Sequence, residues 1–410
     1  MSTRYLLRSL IKRQYGYTNI KQRAACFSSR VHYKNDAFVD NARKSILTSQ
    51  VVIRKAALTD HSAVLDLIDE NGAHDYIPAL YPHLVSDKDN FTVVATLEGR
   101  VVGLTMASVL DGGLTVTCRS SRVHKDFRKL GIHTALFDYI QEYSSQLVPL
   151  HAYKALAITD RDYTTCAFYF KYGYRPTLWR QGLQMAYQIP NSQPTGIGED
   201  NPTNPIKVKE LTRFDLHRIF QAHGLCRQLY PQGRLFNNYV GYRLMEENIR
   251  HLVTPWGGAF ASFQEPRSFP LASCEDFSDH ANPTKNTIGT FTSSSISCHK
   301  NHSNCLDHDF PNNVAMVTFY NCYSTTYGAF YSLDAYAMPG LSRDHFQAHL
   351  RHNLKTLRRR FPGQRAALAL TFDTTTSREC VISCLSEQGI SELLPCQEKW
   401  QILCERTSRK

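Results

Sequence analysis

Short β-rich runs and amphipathic stretches alternate along residues 51–190. Val51–Ala56 predicts a strand, and Thr59 and Asp60 offer a helix N-cap ahead of Val64, Leu65, Leu67 and Ile68 on one face. Phe91–Leu97 and Arg100–Val109 predict two strands, separated by the two-residue hairpin turn Glu98-Gly99. Leu114–Val123 reads as a further strand. Ile132–Tyr143 reads as a helix with Ile132, Leu136, Phe137 and Ile140 on its apolar face. Lys154–Thr159 then predicts a strand, Thr164–Tyr172 a helix and Leu183–Ile189 a closing strand.

Pro, Asn, Ser and Gly crowd residues 191–205, which reads as a linker. Residues 206–410 then repeat the order loosely. Ile206–Leu211, the cap Thr212 and a helix to His223 echo the first opening. Ile249–Thr254, the turn Trp256-Gly257-Gly258 and Ala259–Phe263 echo its hairpin. Strands over Val314–Tyr323 and Tyr327–Ala337, a basic helix Arg343–Arg360, a strand Arg365–Phe372, a helix Ser377–Ser386 and a strand Trp400–Glu405 complete it. Residues 265–313 lack periodicity and are rich in Ser, Asn, His and Pro, so a disordered insertion is expected. The whole predicts an α/β (α+β) chain, a mixed twisted sheet flanked by helices, duplicated as two domains at 50–190 and 206–410.

Composition narrows the classes. With 410 residues at 42% hydrophobic, the chain buries a sizeable core and is not globally disordered. No run of consecutive apolar residues is long enough to cross a membrane as a helix. The net charge of +11 is concentrated at one end: residues 1–35 hold eight basic side chains and no acid, leaving +3 for the rest. A general nucleic-acid footprint is therefore not expected. The leader, residues 1–45, is rich in Arg, Ser and Tyr and resembles an organellar transit peptide, with Leu6, Leu7, Leu10 and Ile11 at helical spacing. The mitochondrial matrix is the expected compartment; a basic tail on a cytoplasmic protein is the alternative. The 12 cysteines include no CxxC pair, and reduced thiols are expected.

The chemistry concentrates in Val123-His-Lys-Asp-Phe-Arg-Lys-Leu-Gly-Ile-His. A strand ends at Val123, a short turn carries Arg128 and Gly131, and a helix starts at once. Backbone N–H groups without helical partners and the positive end of the helix dipole make this an anion site suited to a pyrophosphate. Neither a Walker A loop nor GxGxxG is present.

The segment resembles motif A of the GNAT acetyltransferase superfamily, Arg/Gln-x-x-Gly-x-Gly/Ala, with Arg128 and Gly131 matching and His133 where Gly or Ala is usual. The resemblance implies acetyl-CoA as co-substrate, held by Val123, Arg128, Lys129, Leu130, Gly131, Ile132 and His133. Asp162, Thr165, Phe168, Tyr169, Lys171, Gly173 and Tyr174 align with the superfamily's motif B. At Tyr169 it implies a general acid for the departing thiolate. Asp75–Tyr81, Thr92–Ala95 and Val109–Gly113 resemble the histidine N-acetyltransferase family, whose members carry a degenerate second GNAT-like half. That family tends to have a glutamate at the place of Arg119, and an arginine can act neither as base nor as acceptor of an amine's hydrogen bond.

The resemblance implies an N-acetyltransferase working by direct attack in a ternary complex, on the amine of a small amino acid such as L-histidine. Asp75, Tyr76, Tyr81 and Asp111 are the candidates for binding that acceptor. Asp111-Gly-Gly reads equally as a turn and Tyr81-Pro82 as a packed loop. A catalytically weak coenzyme-binding or interaction module, or an enzyme for peptide or protein amines, stays open. No metal is expected: Cys298, His299, His302, Cys305 and His308 fit no common zinc spacing. Lys355–Arg360 reads as a solvated basic helix end. The oligomeric state is left open.

Overall fold

Among the described residues thirteen strands join in one sheet, and their order shows how the two halves fit together. The computed structural model describes residues 50–68, 75–149, 152–159, 170–191, 206–264, 310–394 and 400–407. The leader, most of the expected linker and insertion, and Tyr169 lie outside these residues.

The first half contains β1 (Val52–Lys55), α1 (His61–Leu65), α2 (Ile77–Ser86), β2 (Asn90–Leu97), β3 (Arg100–Leu110), β4 (Thr115–Val123), α3 (Ile132–Leu147), β5 (Tyr153–Thr159) and β6 (Arg175–Gln188). Strands β1 to β4 pair antiparallel in sequence, and β5 joins β4 in parallel after the crossover helix α3. In the second half come β7 (Val208–Glu210), α4 (Arg213–Gln221), α5 (His223–Leu229), β8 (Arg234–Asn237), β9 (Val240–Arg243), α6 (Ile249–Leu252) and β10 (Gly257–Phe263). Then follow β11 (Val314–Thr325), β12 (Gly328–Ala337), α7 (Arg343–Arg360), β13 (Arg365–Phe372), α8 (Arg378–Ser386), β14 (Glu392–Leu393) and β15 (Trp400–Thr407). Here β7, β10, β11 and β12 pair antiparallel, and β13 joins β12 in parallel after α7. The pairing pattern of the first half recurs strand for strand, so the duplication is visible in topology. A separate ribbon, β8–β9, has no counterpart among the described strands of the first half.

The halves exchange their last strands. β15 pairs with β5 of the first half, β6 pairs with β13 of the second, and β15 and β6 pair with each other. The closing strand expected over Leu183–Ile189 is therefore 14 residues long. Its opening residues face β15 and its end faces β13, so each portion has a different partner.

Three other expectations change. Ile249–Leu252 is a helical turn, not a strand, because Ile249 and Leu252 bury together three positions apart. The hairpin that repeats β2–β3 is β10–β11, so the expected insertion falls at its turn. The supposed loop at Tyr81-Pro82 is the helix α2. Pro78 stands in its first turn, where a missing N–H is tolerated. Pro82 leaves the Pro78 carbonyl without its helical donor, and His61 Nε2 donates to that carbonyl at 3.2 Å.

Helix α3 buries Ile132, Leu136, Phe137 and Ile140 against the first half's sheet, as its spacing predicts. Gly103 on β3 allows this approach: a Cβ there would meet Leu136 Cδ1 at 2.9 Å and Ile132 Cγ2 at 3.1 Å. Helix α2 lies in the seam, where Ile77, Leu80 and Leu84 share a core with Tyr323, Phe330 and Ala367 of the second half.

Candidate active site

The site begins where β4 and β5 part. Their parallel ladder runs from Thr115 with Tyr153 to Cys118 with Leu156 and ends there. Beyond it β4 stays paired to β3 and β5 to β15, but the two strands no longer bond each other. A bulge marks the fork. Ser120 and Ser121 both stand opposite Thr105, and Ser120 adopts φ +61°. Backbone N–H and C=O groups of β4 past the fork thus face a gap in the sheet.

Helix α3 starts at that gap. After a 3-10 turn at Lys125–Phe127, Lys129 takes φ +67° and Gly131, at the N-cap, takes φ +86°. Glycine adopts this left-handed conformation without penalty and brings no side chain to cap the helix. The first helical bond runs from the Ala135 N–H to the Gly131 carbonyl. Arg128 and Lys129 are exposed beside this positive helix end, and Leu130 is half-buried. Arg128 Nε donates to the Val123 carbonyl at 3.2 Å, fastening the end of β4 to the turn. His133 lies along α3 and stacks on Phe137, with centroids 6.4 Å apart. Burial lowers its pKa, so it adds little charge to the anion site near neutral pH. The structure therefore brings Val123 and residues 128–133 together at one end of one helix.

The four acceptor candidates are not gathered in this way. Only Tyr76 reaches the fork, where its hydroxyl hydrogen-bonds the Ser120 hydroxyl. Asp75 is buried and committed: Oδ1 accepts from the Ile77 N–H at 3.0 Å and Oδ2 from Arg122 Nε at 2.8 Å. It holds the first N–H of α2 and ties the helix to β4, which positions Tyr76. Tyr81 belongs to the core. Its hydroxyl donates to the Ala57 carbonyl at 2.9 Å, its ring stacks on His61, and burial pushes its pKa up to about 12. Asp111 is also interior. Its carboxylate accepts from the Arg243 N–H at 2.9 Å, from Asn248 Nδ2 at 2.6 Å and from the Thr115 hydroxyl. Asp111 thus ties the β3–β4 turn to the second half, with both oxygens taken.

A residue that sequence reasoning weighed only for its missing carboxylate proves central. Arg119 is the first residue of β4 past the ladder. The period of two places it with Thr115 and Thr117, on the face opposite Val116 and Cys118, which pack with α3. That alternation was the signal for its direction. Its guanidinium lies 5.4 Å from the centroid of Tyr76, and Tyr76 meets Tyr323 of β11 edge-on. Cys118 is inert, since burial lifts its thiol to about 11.

From the motif B segment, Lys171, Gly173 and Tyr174 are described. Gly173 takes φ +85° in the turn before β6, and buried Tyr174 accepts from Gln141 Nε2 at 3.3 Å. Tyr169 lies outside the described residues, as does the Cys298–His308 cluster. A cavity of about 770 Å³ lined by Lys154, Lys171, Arg175 and Arg406 sits at the other end of α3, away from the fork.

With this geometry in place, the comparisons with known proteins are informative. Residues 60–174 match the Acetyltransferase (GNAT) family. The segment runs from the residue before α1 to the turn before β6 and includes the fork, the turn and α3. The chain is 28% identical over 188 residues to histidine N-acetyltransferase of Xenopus tropicalis, covering 43% of this chain and 55% of that protein. It is 25% identical over 193 residues to probable N-acetyltransferase 16 of Homo sapiens, covering 44% and 50%. The chain spans about half the length of the curated relatives it matches. A solved GCN5-related N-acetyltransferase from Sphaerobacter thermophilus aligns over 88% of this chain and 96% of its own, at 12% identity and a TM-score of 0.48. Family match, forked strands and glycine-led helix coincide on the same residues, and this chain carries a GNAT acetyltransferase domain over residues 60–174.

Proposed function

We propose that the protein is an acetyl-CoA-dependent N-acetyltransferase acting on the amine of a small amino acid, with L-histidine the suggested acceptor. The observation that carries this reading is the end of the β4–β5 ladder at Cys118 and Leu156, directly ahead of an uncapped helix start. Both halves of acetyl-CoA fit the residues present. The unpaired edge of β4 suits the amides of the pantetheine arm, and the start of α3 with Arg128 and Lys129 suits the pyrophosphate. The names of the two curated relatives support an amine as acceptor.

In the proposed reaction the amine nitrogen attacks the thioester carbonyl, a C–N bond forms and the C–S bond breaks. Backbone N–H groups of β4 near Val123 stabilise the charge that develops on the carbonyl oxygen. Tyr169, by the family's pattern, returns a proton to the departing thiolate while the amine loses one. Holding both reactants at the fork supplies proximity, so no covalent enzyme intermediate is required. The acid-free basic leader supports the mitochondrial matrix as the place of action. Import of the full chain into isolated mitochondria with protection from added protease is expected, and exclusion would favour the cytoplasm.

The deciding experiment is thiol release from acetyl-CoA by the full chain against the twenty free amino acids, with no-acceptor controls. Turnover confined to one or a few of them is expected. A competing reading, a catalytically weak coenzyme-binding module, rests on Arg119 standing where the resembled family carries a carboxylate. Acetyl-CoA binding without release to any amino acid or peptide amine would favour it.

A further inference from the structure

The cation at the fork has no anionic partner among the described residues. Arg119 Nε is buried and makes no hydrogen bond, and no carboxylate pairs with its guanidinium. The acids on neighbouring elements are engaged elsewhere: Asp75 with Arg122 and the Ile77 N–H, Asp111 with Arg243, Asn248 and Thr115. What surrounds Arg119 is aromatic and neutral. Tyr76 lies under the guanidinium, Tyr323 meets Tyr76 from the second half, and buried Tyr242 of β9 is close enough to feel the charge. A guanidinium held half-buried without an anion is costly, and such a charge calls for a partner from outside the chain.

We propose that Arg119 binds the α-carboxylate of the acceptor, so that the enzyme selects free α-amino acids by their carboxylate as well as by their side chain. The inference rests on the acetyl-transfer reading and adds to it the residue that reads the acceptor's carboxylate. Three observations carry it: the buried Nε without a partner, the position one residue past the last β4–β5 pair, and the absence of a competing carboxylate among the described neighbours. Only Nε of the guanidinium is among the buried atoms; its two terminal nitrogens form the edge that matches a carboxylate in a two-point hydrogen bond. An α-amine is one carbon from that carboxylate. Binding the carboxylate at Arg119 therefore leaves the amine beside the gap where the thioester carbonyl is expected. The glutamate of the resembled family and this arginine make opposite demands on an acceptor, amine against carboxylate. Arg119 is a specificity-determining residue in this scheme, not one that moves a proton.

The test compares the twenty L-amino acids with the same twenty as carboxamides, for the full chain and for Arg119→Gln and Arg119→Lys. For the unaltered protein, kcat/KM on the best amino acid exceeds that on its amide by about 30-fold, the worth of a charge-assisted contact. Arg119→Gln erases most of that ratio, chiefly through a higher KM for the acid. Arg119→Lys retains part of it. A ratio near one in the unaltered protein, or a ratio that survives Arg119→Gln, overturns the proposal. Thermal unfolding with about 10 mM of each compound, since a ligand that binds the folded state raises the midpoint, separates this failure from that of the acetyl-transfer reading. Amino acids that raise the midpoint of the unaltered protein but not of Arg119→Gln, while their amides raise neither, support the carboxylate site even without turnover. If acids and amides act alike on the unaltered protein, the site is overturned whatever the turnover shows.

Discussion

At the residue scale, the anion site depends on one close approach and one cation. Gly103 lets α3 lie on β3, and the next atoms a side chain would meet are Leu136 Cδ1 and Ile132 Cγ2. Ile132 opens α3, so displacing it moves the helix start that faces the fork. Gly103→Val is expected to cost about 1–3 kcal/mol by overpacking and to weaken acetyl-CoA binding. Chemical denaturation and calorimetric titration would read the two effects separately. Unchanged stability and affinity would mean that the helix accommodates the methyls without moving. Arg128→Glu acts differently. It puts a carboxylate at an exposed position beside the expected pyrophosphate and removes the donor to the Val123 carbonyl. Affinity for acetyl-CoA should fall about tenfold or more, the effect of roughly 1.4 kcal/mol, with the unfolding midpoint little changed. Equal affinity would displace the pyrophosphate from this helix end.

At the element scale, Asp111 shows how a turn becomes a joint. Asp111, Gly112 and Gly113 all have positive φ, and the turn presents one carboxylate to Thr115, Arg243 and Asn248 at once. Asp111→Ala leaves the Arg243 and Asn248 donors buried without their acceptor. A loss of about 3–5 kcal/mol in unfolding free energy is expected, measurable in urea; a loss below about 1 kcal/mol would mean that water or Arg243 rearrangement compensates. The sequence made the turn legible, because Asp-Gly-Gly follows a long apolar strand. It could not disclose the partners, which lie more than a hundred residues away on β9 and before α6. The same division runs through the site. Period and punctuation located β4, the Gly131 turn and the apolar face of α3, since each is a local property of the chain. Helix α2 was hidden by two prolines, and its rescue by His61 is a tertiary contact with no sequence signal. Tyr81 and Asp111 looked like ligand residues because exposed and buried polar groups are alike in a sequence, and only packing separates them.

At the scale of the molecule, the exchange of β6 and β15 makes the halves interdependent. Their seam holds buried ionisable groups. Arg180, fully buried on β6, pairs with Asp373 and lies 4.0 Å from the ring of Tyr336. Burial lifts the Asp334 carboxyl to about 6, against hydrogen bonds from the Thr371 hydroxyl and the Asn238 N–H. A carboxyl raised on folding stabilises fully below its unfolded pKa, and that stabilisation is lost as pH climbs through the folded value. Burial lowers His349 to about 3, with the opposite consequence: its contribution is present above the unfolded pKa and lost on acidification. Between about pH 4 and 6 the two slopes oppose each other. Asp334→Asn removes one of them, so stability should rise at pH 7.5, by at most about 3 kcal/mol, and acid sensitivity should steepen. A variant weaker at every pH would mean that the lost acceptor outweighs the lost charge. The exchanged strand gives the strongest consequence. β15 supplies the neighbour of both β5 and β6, and Glu405 on it pairs with Arg234 of β8 at 2.9 Å. Removing residues 400–410 opens two internal sheet edges at once, on β5 and on β6, and exposed edges invite association between chains. Were the halves autonomous, such a truncation would spare the second half's β7–β13 unit and the protein would unfold in two steps. The exchange predicts instead a single cooperative transition for the full chain in urea, by fluorescence and circular dichroism together. For the truncated chain it predicts loss of both halves' cooperative unfolding, with aggregation; a truncated protein that keeps a cooperative transition and binds acetyl-CoA normally would show that β15 only decorates a sheet already complete.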